Sequence, residues 1–228
     1  GQVAHGHAPN LSSLRALVTP SAAHAPSRQP TMYPKNRLDA LTDGIFAVAM
    51  TILVLDLRIP DETAVGASEA SFYQALLALS PKFVPYLLSF YVLGASWLSL
   101  IKARSRGESV GAGYAKWSLF YLLFVTLLPF STVLMGRFTS HTVATAIYAV
   151  NIGIMAATAF LLMSLLPDPV KDAHWVDRRI SLLVLLASCV LTIVLSFFSP
   201  GKALFAFLLN GLAGTLVRLY LRRVPTPG

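Results

Sequence analysis

The sequence predicts an all-α membrane protein with six transmembrane helices per subunit and both termini in the cytoplasm. Its 228 residues are 55% hydrophobic and only 12% charged, whereas a soluble domain carries about 25% charged residues. The apolar residues are gathered in segments of about 20 residues, the length that an α-helix needs to cross a bilayer. Lys and Arg are concentrated in alternate connections between these segments, as in polytopic membrane proteins.

The apolar segments can be placed in order along the chain. They cover residues 38–59, 81–101, 115–135, 142–166, 180–198 and 202–221. Pro60 ends the first segment because proline cannot continue a helix, and Pro129 predicts a kink within the third. The first connection is acidic and polar and is predicted to be a loop. Asn151 and Asn210 lie inside the fourth and sixth segments and predict hydrogen bonds between helices.

The rest of the chain is short. Residues 1–36 are rich in Ala, Ser, Pro and His, which predicts a disordered N-terminal tail. Residues 37–223 then form the six-span domain, and residues 224–228 are a short C-terminal stub. Because every connection is short, the chain has no room for a globular catalytic domain, and the sequence does not indicate an enzyme.

Positive charge predicts the orientation in the membrane. It clusters before the first segment, after the second, after the fourth and after the sixth: Lys35 and Arg37; Lys102, Arg104, Arg106 and Lys116; Lys171, Arg178 and Arg179; Arg218, Arg222 and Arg223. The opposite connections hold only Lys82, Arg137 and Lys202. Since positive residues remain in the cytoplasm, both termini are predicted to lie there, and the protein is predicted to lie in the cell membrane.

Several function classes are excluded by the same observations. The net charge of +8 is explained by cytoplasmic flanks, so it does not indicate a nucleic-acid partner. No Walker, zinc or nucleophile-elbow motif is present. His5 and His7 are too few for a metal site, and no cofactor is predicted. No TVGYG-like segment lies between two spans, so a filter built from backbone carbonyls is not expected.

The first apolar segment carries the most informative polar residues. Between Gly44 and Leu55 no residue is charged, and the only hydroxyl belongs to Thr51. Asp43 lies at the membrane boundary, where a carboxylate is costly and marks function or a packed polar contact. Arg37 precedes it and can also be a boundary residue that extends to the headgroups.

Helical periodicity defines one apolar stripe on this segment. Val48 and Leu55 are seven residues apart and lie within about 20° of each other. Ile52 lies about 40° to one side of Val48 and Thr51 about 60° to the other. Asp43 is about 140° away, so its carboxylate should point into the protein behind the stripe. Periodicity alone favours packing against helices or lipid as the role of the stripe.

The same segment resembles a known family. Arg37, Leu41-Thr42-Asp43-Gly44-Ile45-Phe46-Ala47 and Leu53-Val54-Leu55-Asp56-Leu57 are similar to the first-helix signature of the endosomal and lysosomal potassium channel family, transmembrane protein 175, in its short bacterial form. Leu41 stands where the family has Phe, and Thr42 where it has Ser. Leu127-Leu128-Pro129-Phe130-Ser131-Thr132 is a second match, and Tyr86-Leu87-Leu88-Ser89-Phe90 and Trp97-Leu98 are weaker ones.

The resemblance implies a potassium-selective channel in a bacterial plasma membrane. It implies a homo-oligomer, with a tetramer expected, in which the first helices of all subunits line the pore and K⁺ is the permeant ion. The stripe of Val48, Thr51, Ile52 and Leu55 would then be the pore constriction, with Val48 at the narrowest ring. Such an apolar ring can gate by dewetting.

Other roles follow from the signature or remain open. The resemblance implies that Arg37, Leu41, Thr42 and Asp43 form a structural network that holds the pore helix. Asp56 either attracts cations at the pore mouth or pairs with Arg58. The alternative functions are a secondary transporter or proton pathway that uses Asp43, and a membrane scaffold without transport.

Overall fold

The computed structural model describes residues 1–2, 31–58, 68–102 and 107–207. This part of the chain contains β1 (Met32–Pro34), α1 (Lys35–Ile52), α2 (Glu69–Ala78), α3 (Ser80–Ile101), β2 (Ser109–Gly111), α4 (Ala112–Arg137), α5 (Thr142–Leu165), α6 (Ala173–Ser196) and α7 (Pro200–Ala203). A 3-10 turn, Leu53–Asp56, continues α1. The structure is mostly helical, as the sequence predicts.

Five of the described helices are long and apolar enough to cross a membrane, namely α1 with its 3-10 turn, α3, α4, α5 and α6. They correspond to the first five predicted spans. The sixth predicted span, residues 202–221, begins at α7, and its residues from 208 onwards lie outside the described residues. Both prolines within long helices, Pro85 in α3 and Pro129 in α4, are accommodated without ending the helix.

The core lies around α4 and α5. α5 packs against α4 on one side and α6 on the other, while α1 and α3 pack against α4. Val125, Leu128 and Ile152 are completely buried where these helices meet. Burying a side chain of this size stabilises a fold by roughly 1.5–3 kcal/mol in water. This hydrophobic contribution is smaller between helices in a bilayer, because lipid tails are also apolar. α1 lies at the periphery of the bundle and buries little of its surface.

Two short elements were not predicted. β1 pairs antiparallel with β2, with Tyr33 opposite Val110, and the Lys35 amide then donates to the Glu108 carbonyl over 3.0 Å. This ribbon joins the start of α1 to the start of α4. β1 and the first two residues of α1 lie within residues 1–36, the segment that the sequence analysis assigned to a disordered tail. Strands of three residues are too short to show a period in the sequence.

The first connection contains a helix where a loop was predicted. α2 begins after Ser68, whose hydroxyl accepts a hydrogen bond from the Ser71 amide at 3.2 Å. This is N-capping by serine, which stabilises a helix start. Phe72, Tyr73 and Leu77 remain exposed on it. The loop was predicted from the acidic and polar residues of the connection, and the apolar residues of 69–78 were not considered.

The fifth span also begins earlier than residue 180. The Asp172 carboxylate accepts a hydrogen bond from the Trp175 amide at 3.0 Å and caps α6. Arg178 and Arg179 therefore lie inside the helix and do not precede it. The prediction took Arg178 and Arg179 as the boundary of the span, but the cap at Asp172 lies six residues before Arg178, nearly two helical turns.

Candidate functional site

The two faces of α1 differ sharply in burial. Val48 is 57% exposed and Leu55 62%, and Ile52 lies between them at 44%. Phe46 and Ala49, on the opposite face, are at most 2% exposed. The predicted stripe is thus the face of α1 that the single chain leaves uncovered.

Thr51 shares the exposed face but its hydroxyl is occupied. It lies 3.0 Å from the Ala47 carbonyl and 2.9 Å from the Val48 carbonyl, and can donate to either. A threonine that donates to its own helix leaves its oxygen lone pairs free to accept. Thr51 therefore presents an acceptor oxygen beside two apolar side chains.

A groove of about 440 Å³ runs beside this stripe, between α1 and α4. Val48, Ile52 and Leu55 form one wall, and Pro129 and Phe130 of α4 contribute to the other. Phe130 is 64% exposed. The groove extends the uncovered apolar surface from α1 onto the second segment that carries the family resemblance.

An ion pair lies at one end of the groove. Arg137 at the end of α4 lies 3.4 Å from the Asp56 carboxylate, whose side chain is 11% exposed. The pairing of Asp56 with Arg58 is therefore wrong, because the Arg58 side chain donates to the Leu55 carbonyl instead. The sequence could not indicate Arg137, which is 81 positions away.

Asp43 is held by the neighbouring helix. The Trp97 indole on α3 donates to the Asp43 carboxylate over 2.9 Å. The aspartate remains exposed in the single chain, so it contacts α3 without being buried. This hydrogen bond joins α1 to α3.

The other signature residues are not joined to that hydrogen bond. The Thr42 hydroxyl donates to the Leu38 carbonyl of its own helix at 2.8 Å, and Leu41 is 45% exposed. The Arg37 side chain is exposed and forms no hydrogen bond or ion pair with any residue of the described ranges. In the single chain, the predicted network is limited to Asp43 and its partner on α3.

A buried hydroxyl cluster that sequence reasoning missed joins three helices. Ser89 Oγ lies 2.7 Å from Thr132 Oγ1 and 2.9 Å from the Tyr148 hydroxyl. Thr132 donates its own hydrogen to the Leu128 carbonyl. Ser89 must therefore donate to Thr132 and accept from Tyr148, which satisfies all three hydroxyls. The signal was present, since Ser89 and Thr132 are hydroxyls inside segments quoted for the family resemblance.

Asn151 confirms one predicted contact between helices. Its side-chain amide donates to Ser131 Oγ at 3.2 Å and to the Phe124 carbonyl at 3.3 Å, both on α4. Asn210 lies outside the described residues. Within those residues, no group of three or more His, Cys, Asp or Glu side chains is placed to hold a metal ion.

Comparison with known proteins finds similarity to a channel family and to proteins that are named as channels. The family described as Endosomal/lysosomal potassium channel TMEM175 matches residues 37–129. A potassium channel from Chamaesiphon minutus is 28% identical over 152 residues, which are 67% of this chain and 72% of that protein. The endosomal/lysosomal proton channel TMEM175 of Homo sapiens is 35% identical over 69 residues, covering 28% of this chain and 14% of that protein.

A solved structure supports the fold. The crystal structure of a lysosomal potassium-selective channel TMEM175 homolog from Chamaesiphon minutus aligns with a TM-score of 0.55 at 23% identity, over 82% of this chain and 96% of that one. The matched family region contains α1, α3 and most of α4, the helices that build the groove and the Asp43 contact. The resemblance to the TMEM175 potassium channel family is therefore confirmed, with the family match covering residues 37–129.

Proposed function

We propose that this protein is a potassium-selective cation channel whose constriction is the apolar stripe of α1. The observation that carries the proposal is the exposure of Val48, Ile52 and Leu55 on a helix whose opposite face is buried in the core. The potassium channel from Chamaesiphon minutus supports the choice of ion. K⁺ is the proposed permeant ion, and the proposal assigns no cofactor.

A single α1 helix cannot enclose a conduit, so several subunits are required. In the proposed homotetramer, four copies of α1 turn Val48, Thr51, Ile52 and Leu55 towards a common axis. The groove beside the stripe would receive the neighbouring subunit. Both termini would face the cytoplasm of a bacterial cell, because the positive connections are predicted to lie there.

The constriction would select by the cost of dehydration. An ion that passes a ring of valine methyls must shed water, and dry apolar rings also gate by dewetting. K⁺ is larger than Na⁺ and holds its water less strongly, so it would cross at lower cost. The acceptor oxygen of Thr51 would replace part of the lost water close to the ring.

Ion flux from liposomes tests the proposal. The purified full chain is reconstituted into vesicles, and K⁺ and Na⁺ gradients are compared under the same membrane potential. Faster K⁺ than Na⁺ flux is expected. Equal flux of both ions would contradict selectivity, and no flux above that of empty vesicles would favour the scaffold alternative.

A proton pathway is the second candidate, and the human proton channel relative favours it. Asp43 would be the carrier, since its carboxylate is exposed at the membrane boundary. Its hydrogen bond with Trp97 instead fits a structural role. Proton flux under a pH gradient that is lost in Asp43→Asn, while K⁺ flux persists, would support the second candidate.

A further inference from the structure

A cavity of about 590 Å³ separates α3 from α6, away from the α1 stripe. Most of its lining is apolar and includes Leu87, Phe90 and Leu98 of α3 and Leu185 of α6. Its polar residues are concentrated where α3 ends and α6 begins, at Lys102, His174, Asp177 and Arg178. The cavity therefore combines a long apolar wall with a charged end.

Arg178 is the unusual member of this lining. It is only 8% exposed, and its Nε is buried without a hydrogen-bond partner. The ion pairs formed within the described ranges are Lys35 with Asp39 and Arg137 with Asp56, so Arg178 has no carboxylate partner there. A buried cation without a counter-anion is strongly destabilising. Within the described residues, the Arg178 guanidinium therefore lacks an anionic partner.

The charge balance indicates what is missing. The basic side chains of Lys102 and Arg178 face this end of the cavity, and Asp177 is the one carboxylate in its lining. One further negative charge would neutralise this end of the cavity. A planar guanidinium binds phosphate oxygens through paired, charge-assisted hydrogen bonds, and its unpartnered Nε is one of the donors required.

We propose that this cavity binds an anionic phospholipid of the bilayer. Its phosphodiester would lie on Arg178 and Lys102, and an acyl chain would follow the apolar wall of α3. Basic pockets between transmembrane helices on the cytoplasmic side bind anionic headgroups in this way. A soluble anion would leave the wall exposed, and a zwitterionic lipid would bring its own cation to Arg178. The proposal does not depend on ion conduction.

The test uses the full chain, delipidated in an uncharged detergent. Dioleoylphosphatidylglycerol and dioleoylphosphatidylcholine are added separately, and binding is followed by native mass spectrometry and by the unfolding temperature. Phosphatidylglycerol is expected to remain bound and to raise the unfolding temperature. Phosphatidylcholine is expected to do neither. Equal binding of the two lipids would overturn the proposal.

Arg178→Met should affect lipid binding and lipid-free stability differently. It should weaken phosphatidylglycerol binding roughly tenfold or more, because a buried charge-assisted contact is lost. Without lipid it should unfold at the same or a higher temperature, since the unpaired cation is gone. If Arg178→Met loses phosphatidylglycerol binding and also unfolds at a lower temperature without lipid, the variant is damaged. Lys102→Gln, at an exposed position, then decides the matter. Weaker phosphatidylglycerol binding in Lys102→Gln would support the proposal, and unchanged binding would overturn it.

Arg179→Met is the matched control for charge. Arg179 is the next residue but is exposed, and its guanidinium lies 4.7 Å from the centre of the Trp175 ring. The variant should retain phosphatidylglycerol binding. If it loses binding as fully as Arg178→Met, general surface charge and not the cavity attracts the lipid, and the proposal fails.

Two soluble compounds distinguish lipid from free anion. Glycerophosphoglycerol carries the same headgroup without acyl chains, and inorganic phosphate carries the anion alone. Neither should raise the unfolding temperature as phosphatidylglycerol does. If either matches it, the cavity binds a soluble anion and the lipid assignment is wrong.

Discussion

Trp97 of α3 donates its indole hydrogen to the Asp43 carboxylate of α1 over 2.9 Å, across 54 positions of sequence. This hydrogen bond is made on the side of α1 away from the stripe. It fixes the rotation of α1 about its axis, because Asp43 and Val48 are separated by about 140°. The exposure of Val48 and the contact of Asp43 are therefore two consequences of one helix orientation.

Removing the Asp43 acceptor should loosen α1 without changing ion selectivity. We expect Asp43→Ala to lower the free energy of unfolding by about 1 kcal/mol, the usual contribution of one hydrogen bond. Asp39→Ala is the control, because Asp39 pairs with Lys35 of the same helix and not with α3. Thermal unfolding and reversal potentials measure the two effects. A changed potassium-to-sodium ratio in Asp43→Ala would assign the carboxylate to the ion pathway instead.

The exposed stripe could be predicted from the sequence because it rests on local geometry. Val48 and Leu55 share a face at the α-helical period of 100° per residue, and the buried residues Phe46 and Ala49 follow the same period on the other side. Sequence also indicated that Asn151 would bond to another helix. In each case the residue type and its position in one helix were sufficient.

The side-chain partners could not be predicted, because they depend on how the helices pack. Asp56 meets Arg137, which is 81 positions away, and not the nearby Arg58. The unpaired state of Arg178 also follows from packing, since it forms no ion pair within the described residues although Asp177 is next to it in sequence and lines the same cavity. Closeness in sequence is a poor predictor of ion pairs, because successive residues of a helix point about 100° apart.

The hydroxyl cluster predicts an asymmetry between two conservative variants. Tyr148→Phe removes a donor, and Ser89 still donates to Thr132, so we expect a loss of about 0.5–1.5 kcal/mol. Ser89→Ala leaves the buried Tyr148 hydroxyl without its acceptor, and we expect about 1–3 kcal/mol. The double variant should lose less than the two single losses added together. Unfolding of all three in the same detergent checks this, and strict additivity would show that the hydroxyls do not interact.

Arg137 should control the charge at one end of the groove. If the tetramer places Asp56 near the pore mouth, Arg137→Gln frees its carboxylate to attract cations, and single-channel K⁺ conductance should rise at low salt. The rise should vanish near 1 M salt, where the Debye length is about 3 Å. Arg58→Gln is the control, since Arg58 donates to a backbone carbonyl. A rise of equal size in both variants would mean that Asp56 is not involved.

The last prediction concerns the constriction at Val48. Val48→Asn would place amides in the proposed dry ring, where they can hold water and replace part of the hydration of an ion. The dewetting barrier should fall, and the potassium-to-sodium permeability ratio from reversal potentials should decrease. Ala49 is unsuitable as a control, because it is 2% exposed and an amide there would disrupt the core. Val54→Asn is better matched, since Val54 is 48% exposed and lies on another side of the helix. An unchanged ratio in Val48→Asn with a decrease in Val54→Asn would show that a different face of α1 lines the pore.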